Sequence, residues 1–519
     1  MPALRFLLFL TIAFKIDAAK ILTVAPLPSL SHQIIYRPIH DELIRRGHEV
    51  TFITTNPSYP NGDAPKNLRE IDVGPASYDM WTKEFNVDVF GKKVFLTKGV
   101  NKTVHLAPKI FGMQLAMEKV KKVIENNNYD LLILQGWFRA TMLLSHLHKV
   151  PVVKISSFTM MYDNALTAGA PSHPLYHPNS FQQRAYNLTW WEQIQEVYNS
   201  LSVEYTFYKN EDEETAMLRR FYPDIPDLNV LNDNVDMLHV NAHPMWDKNR
   251  PMPPNAVYIG FIHQKPPKPL PKDIQEYMDS SESGVIYMSF GTNIPPSKLP
   301  QNVKRMFLKV FSELPYDVLW KFDEDLPDLP QNVKISKWFP QSDIFRHPNL
   351  KLIITQGGLQ TAEEAIMAGV PVVCMPFLGD QWLNGENFVH HGVGKMLDIE
   401  TVTEEEFRDA IVTVITDERY RTRMSRLREL VLDRPLPPLA RVLWALEHAL
   451  RHGGRHLRSP AANLPARRYY ELDLLAICIT AALTLVSILG FAVYYLTKKL
   501  LRMFYIRFSV KPIITKYYN

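Results

Sequence analysis

The sequence predicts an α/β protein of two similar domains, each a parallel sheet wrapped by helices, followed by one membrane-spanning helix. Three observations predict it. Short apolar runs alternate with amphipathic stretches in two separate series, the pattern of β-α-β units whose strands are buried on both faces. Seven prolines crowd residues 251–271 between the two series, a density that resists both helix and central strand. A run of 23 uncharged residues, 474–496, lies near the C-terminus; at ~1.5 Å per residue it covers ~35 Å, enough for a ~30 Å hydrocarbon core. At 519 residues the chain exceeds what one core organises. Its 46% hydrophobic and 22% charged residues exclude disorder as the main theme.

In the first series, residues 20–26 (KILTVAP) read as a buried strand and residues 34–46 as a helix, with Ile35, Ile39 and Leu43 on one face. Pro38 makes that helix start late or kink. Gly47 terminates it and residues 49–54 form the next strand. Residues 129–135 and 150–156 are two more buried parallel strands, and residues 163–234 are less regular and helical. In the second series, strands are expected at 284–290, 318–322, 333–337, 350–355 and 370–375, with helices at 302–314, 359–368 and 381–391. Thr403 with Glu406 forms a capping box that opens a further helix.

The ends of the chain set its compartment. Arg5, the apolar stretch 6–14 and the segment Lys15-Ile16-Asp17-Ala18-Ala19 have the shape of a signal peptide, too short to span a bilayer; a buried first strand is the other reading. Tyr469, Tyr470, Tyr494 and Tyr495 bracket the 474–496 run as interfacial aromatics do. Lys498, Lys499, Arg502, Arg507, Lys511 and Lys516 follow it with no acid. The positive-inside rule puts this tail in the cytosol and the bulk of the chain in a lumen or outside the cell. The net charge of +4 is then a property of the tail, and the folded part is slightly acidic, which excludes a nucleic-acid partner. Cys374 and Cys478, one in a strand and one in the span, form no intrachain disulfide. Asn101 and Asn187 head N-x-Thr sequons for a lumenal chain.

The densest part of the chain is residues 338–381, which pack an aromatic-Pro-Gln turn, a strand, a Gly-Gly turn, a helix, a second strand and an Asp-Gln pair into 44 residues. That order sets polar groups at the carboxyl ends of neighbouring strands, where open α/β sheets bind ligands, and it points to a nucleotide-type ligand. Gly357-Gly358 lets backbone N–H groups and a helix N-terminus approach a phosphate, or is an ordinary tight turn. Thr361 and Glu364 read as ligand contacts or as a capping box, Trp338 as contact or core, and Asp380-Gln381 as contact or helix cap. The sequence contains no GxxxxGK[ST], GxGxxG, HExxH, CxxC or GxSxG, so P-loop, dehydrogenase, zinc-protease and α/β-hydrolase readings lose their support.

Taken jointly these motifs resemble the signature of the UDP-glycosyltransferases. The resemblance extends through Ser31-His32-Gln33, NAHP at 241–244, GVIYMSFGT at 284–292, DRP at 433–435 and the anchor with its basic tail. The QGGLQ form at 356–360 is similar to insect members and to viral ecdysteroid glycosyltransferases. The family's fold is GT-B, two Rossmann-like domains facing a cleft. On that pattern the chain divides into a signal peptide (1–19), an N-terminal acceptor-binding domain (20–245), a linker (246–280), a UDP-sugar-binding domain (281–455), a stalk (456–473), the transmembrane helix (474–496) and a cytosolic tail (497–519).

The resemblance also assigns roles. Trp338 would stack on uracil, Gln341 would bond uracil or ribose, and Glu364 would accept the ribose hydroxyls. Gly291, Thr292, Gly358 and Thr361 would surround the diphosphate, and Asp380 and Gln381 would bind the sugar. Gln356 and Gln360 stand where many members carry His and Asn, and both can still donate hydrogen bonds. His32 would be the general base of an inverting displacement. Gln135 stands where members carry the Asp that orients this His; glutamine orients the ring but supplies no charge. The expected activity is hexose transfer, with glucose the favoured sugar, from a UDP-sugar co-substrate to a hydroxyl of a small lipophilic acceptor, the chemistry of detoxification, without metal or further cofactor. The competing expectation is a weak or inactive UDP-sugar-binding subunit that pairs with relatives as a homo- or hetero-oligomer. Residues 85–95 and 165–184 would shape the acceptor pocket. Endoplasmic-reticulum retention follows from the resemblance, while the single Lys516 of the C-terminal signal leaves the plasma membrane open.

Overall fold

The computed structural model describes residues 18–85, 91, 94–125 and 128–509. Most of the predicted signal peptide (1–17), part of the predicted acceptor stretch (86–90 and 92–93) and Lys511 and Lys516 of the tail lie outside the described residues.

Seven strands form the first sheet: β1 (Lys20–Ala25), β2 (Glu49–Thr54), β3 (Leu68–Asp72), β4 (Leu131–Gln135), β5 (Val152–Ser156), β6 (Val235–Val240) and β7 (Ala256–Tyr258). Their order is β3-β2-β1-β4-β5-β6-β7, with every pairing parallel. Six more form the second: β8 (Val285–Ser289), β9 (Asp317–Lys321), β10 (Val333–Ser336), β11 (Leu350–Thr355), β12 (Val372–Cys374) and β13 (Gly394–Met396). Their order is β10-β9-β8-β11-β12-β13, again parallel throughout. Both sheets therefore reverse strand order once, between β1 and β4 and between β8 and β11. Loops leaving the strands on the two sides of such a reversal diverge and open a crevice at the carboxyl ends.

Where the pattern was strong the elements fall as expected: the strands at 49–54 and 350–355 and the helix Leu359–Ala368 match residue for residue. Pro38 sits in the first turn of the helix Arg37–Arg45, so that helix starts late rather than kinking. The Thr403–Glu406 capping box is made as expected.

Four strands were not foreseen. β6 (VDMLHV) is wholly buried, but Asp236 and His239 break its apolar run. The Asp236 carboxylate is satisfied by the backbone N–H of Val152 at 2.9 Å and of Gly454 at 2.7 Å, which lets it sit inside. β7 lies within the proline-rich segment, where an edge strand tolerates flanking prolines. The expected linker 246–280 is thus ordered structure: its first residue, Trp246, is buried, and its indole donates to Asn384 Oδ1 at 2.8 Å. β3 and β13 are short strands at the sheet edges.

The second series does not own all of its predicted range. The helix Pro438–His452 packs Val442, Leu443, Leu446 and Ala449 into the cluster built by Ile21, Ile35, Ile39 and Met237 of the first domain. Residues early in the expected stalk also bind the first domain: Arg458 donates to Asp233 O at 2.7 Å, and Asn463 N to Leu166 O at 2.8 Å. A separate unit begins at residue 464, and its main element is the 38-residue helix Leu472–Ser509. Among the described residues this is the one helix long and apolar enough to cross a membrane by length and composition. It contains the 474–496 run and continues through Lys498, Lys499, Arg502 and Arg507.

Candidate functional site

A cleft of about 410 Å³ opens where the carboxyl ends of β1, β8, β9 and β11 meet. His32, Gly291, Thr292, Trp338, Gln341, Gln356, Gly358, Gln360, Thr361, Glu364, Asp380 and Gln381 all line it. Of the residues singled out for the reaction, Gln135 alone does not.

On the second-domain side the geometry follows from backbone turns. β8 leads through Phe290 into Gly291, whose φ of +78° is left-handed, and a Cβ there would meet the Gln356 Nε2 at 2.3 Å. β11 leads into Gln356-Gly357-Gly358, and Gly357 (φ +88°) is tight against the Cys374 thiol. Gly358 caps the helix Leu359–Ala368, aiming its N-terminus into the cleft, a site that favours an anion. The basic side chains Arg37, Lys265, Lys268, Lys321 and Arg346 join the lining and suit a diphosphate.

Some of the alternatives left open by the sequence are decided here, and Asp380 does take the N-cap position of the helix Gln381–His390, without a side-chain cap. Glu364 caps nothing; its carboxylate accepts from Gln341 Nε2 at 2.6 Å and from the Ser342 hydroxyl. Gln341 also donates to Thr361 Oγ1 at 3.3 Å and accepts from the Tyr287 hydroxyl at 3.2 Å, so it braces Glu364. Trp338 is 60% exposed, not core, and Lys321 Nζ lies 4.8 Å over its ring. Lys321, which the sequence reading passed over, ends β9 and also donates to Gly291 O at 2.9 Å. Its place at a strand's carboxyl end was the available signal. Gln381 Oε1 accepts from Phe377 N at 2.8 Å and Leu378 N at 3.0 Å, shaping the loop after β12. Asp380 is buried, and that burial pushes its carboxyl up to about 7, against the opposing hydrogen bond from Asn384 Nδ2 at 2.8 Å.

On the first-domain side His32 lies on the helical turn Leu30–Gln33, not in an open loop. It is 7% exposed, and Phe158 meets its ring edge-on with centroids 4.5 Å apart. Burial pushes its pKa down to about 3, so the imidazole is neutral at physiological pH. The expected partner is not the one found. Gln135 Oε1 accepts from Leu27 N at 3.2 Å, and its Nε2 has no partner. His32 Nδ1 instead shares a hydrogen bond with Ser157 Oγ, from the loop after β5. No motif marks Ser157; only its position just past a strand's carboxyl end could have flagged it.

The two sides are joined directly. Gln360 Nε2 donates to Ser157 O at 3.1 Å, and Asn293 Nδ2 to Ser29 Oγ at 3.2 Å. Glu363, the neighbour of Glu364, faces the other way and accepts from Phe261 N at 2.9 Å.

Residues 19–505 match the family described as UDP-glucoronosyl and UDP-glucosyl transferase. The chain belongs to this family. It is a UDP-glycosyltransferase, an enzyme that moves a sugar from a UDP-sugar to an acceptor. Among its relatives, an ecdysteroid UDP-glucosyltransferase of Spodoptera littoralis nuclear polyhedrosis virus is 32% identical over 482 residues, 88% of this chain and 93% of that protein. UDP-glucosyltransferase 2 of Dactylopius coccus is 32% identical over 511 residues, 96% of each chain. Among solved structures, the calicheamicin glycosyltransferase CalG4 superposes with a TM-score of 0.57 at 16% identity, covering 84% of this chain and 99% of its own. Os79 from O. sativa does so at 0.57 and 14%, covering 82% and 100%. At such identities these structures speak for the fold alone, and the UDP-glycosyltransferase has the GT-B fold.

Proposed function

We propose that this UDP-glycosyltransferase transfers glucose from UDP-glucose to a hydroxyl of a small lipophilic acceptor, with inversion, using His32 as general base. The observation that carries the reading is that one cleft gathers His32 and all eleven residues assigned to the donor. In this mechanism uracil stacks on Trp338, the braced Glu364 takes the ribose hydroxyls, and the Gly291 and Gly358 turns hold the diphosphate. Asp380 and Gln381 take the sugar. The neutral His32 accepts the acceptor's proton as its oxygen attacks the anomeric carbon from the face opposite UDP; the C–O bond to UDP breaks and its electron pair leaves with the diphosphate.

Glucose is supported by the relatives named UDP-glucosyltransferases. Several of these are named for ecdysteroid, which makes a hydroxylated steroid one acceptor to try beside phenols. The apolar helix Leu472–Phe508 with its basic end supports a single-pass anchor with the catalytic part facing the lumen of the endoplasmic reticulum. Asn187 and Asn101, both exposed, are the proposed glycan acceptors.

The test is incubation of the membrane-bound protein with UDP-glucose, UDP-galactose or UDP-glucuronate and a panel of phenols and steroids. Turnover with UDP-glucose, α-donor giving β-product, and its loss in His32→Ala are expected. A preference for another UDP-sugar removes the donor assignment, and a retained anomeric configuration removes the single displacement.

A further inference from the structure

The family pattern implies that an acid usually orients the histidine from the end of β4, where this chain has Gln135. Gln135 reaches Leu27 N through Oε1, and its amide nitrogen has no hydrogen-bond partner. The His32 ring is nevertheless fixed. Ser157, fully buried, shares a hydrogen bond with Nδ1, and Phe158 packs against the ring edge. Ser157 is itself fixed from across the cleft, because its carbonyl accepts the Gln360 amide at 3.1 Å. Gln360 is the second residue of the helix Leu359–Ala368, whose N-terminus faces the donor cleft.

We propose that Ser157 is the positioning residue of His32 in place of an acid, and that Gln360 holds it in register with the donor helix. This rests on the reading of His32 as base. For Nε2 to accept a proton, Nδ1 must carry the hydrogen, and Ser157 Oγ is placed to accept that hydrogen and hold the ring in this tautomer during the reaction. A hydroxyl orients the ring as a carboxylate would. It brings no negative charge to stabilise the imidazolium formed when Nε2 takes the acceptor's proton. The arrangement therefore makes a weak base, and acceptors whose hydroxyl is already acidic gain most from it. The Gln360 contact adds a requirement that an acid on the first domain alone would not impose: the base is aligned only while the two domains are in register.

The experiment uses the full-length membrane-bound chain, UDP-glucose, and phenols of graded acidity from p-nitrophenol to p-methoxyphenol. Ser157→Ala should lower kcat roughly tenfold, the loss of about one hydrogen bond's orientation, while the donor KM stays put. The loss should grow as the phenol becomes less acidic, and Ser157→Thr should restore most of it. Ser157→Cys, close in size but a poor acceptor, should fall like the alanine variant and serves if alanine does not fold. Gln360→Ala, which as a donor-site variant also raises the donor KM, should lower kcat severalfold alone and add no further kcat loss in the Ser157→Ala background.

Loss of turnover in His32→Ala with full turnover in Ser157→Ala would overturn this inference alone. Full turnover in His32→Ala would overturn the base and this inference with it. A kcat loss independent of phenol acidity and not restored by threonine would reduce Ser157 to a packing role, and additive losses with Gln360→Ala would remove the coupling across the cleft.

Discussion

The two walls of the cleft are built by different means. The wall proposed to hold the donor, the donor wall, comes mainly from one stretch of chain, residues 338–381, in which strand ends, glycine turns and helix starts follow each other at short spacing. The base wall comes from distant strand ends: His32 after β1, Ser157 after β5, with Gln135 at the end of β4 behind them. In the donor wall local geometry fixes most partners, as where Gln341 and Ser342, on one turn, both meet Glu364 on the next helix. In the wall that carries His32, the proposed base, the partner is set by which loop the fold brings against the ring. Gln135 bonds Leu27 N and leaves the ring to Ser157, a neighbour that nothing in the local sequence marks.

Four measurements break or sharpen this contrast. The largest effect is expected for Glu364→Ala, which removes the acceptor of two charge-assisted hydrogen bonds; the donor KM should rise about a hundredfold, with kcat changed far less. An unchanged donor KM would mean the contiguous wall does not hold the donor. Next is the backbone itself. Gly357→Ala forces an L-residue to φ +88° with its Cβ 2.6 Å from the buried Cys374 sulfur, and should lose about 3 kcal/mol in denaturant unfolding. Gly379 also has positive φ (+65°), but a Cβ there meets nothing within 4 Å, so Gly379→Ala should lose only about 1 kcal/mol. Equal losses would show that left-handed strain alone, not packing against β12, sets the turn.

Trp338→Ala should weaken UDP binding about tenfold by isothermal titration. Its melting temperature should hardly move, because the ring is already 60% exposed. The smallest effect is in pH. Asp380, with its carboxyl raised to about 7, loses its charge as pH falls through that value, so kcat/KM for the donor should drop a few-fold between pH 8 and 6 and be flat in Asp380→Asn. The folded value lies above that of the unfolded chain, so the stability from this proton is full in acid and lost as pH rises through about 7. His32, held at about 3, remains a neutral base across the same range and adds no acid limb. An acid limb near 7 that survives in Asp380→Asn would put the titration on the other wall.

Much of the fold was legible because strand and helix periods are local properties. The helix Leu359–Ala368 and five of the six strands of the second sheet announce themselves by apolar runs and glycine boundaries. β6 was not legible, because a buried Asp reads as a break until the N–H groups of Val152 and Gly454 that satisfy it are seen. β7 was hidden among prolines that only an edge position permits. Lys321 and Ser157 were missed for a related reason: each is an ordinary residue made significant by what stands opposite, Trp338 in one case and His32 in the other.

The sequence by itself determined the two-domain α/β architecture, a helix fit for a membrane, and a cleft wall whose residues lie close together along the chain. Short-range geometry carries that information: glycine conformation, capping and strand alternation act over a few residues. Only the tertiary structure decided which side chain holds His32, that the last helix of the globular part returns to the first domain, and that Gln360 spans the cleft to Ser157. Those outcomes depend on which strand ends come together in space, and contacts across 125 or 203 residues of chain are set by the packing of whole sheets rather than by any local pattern.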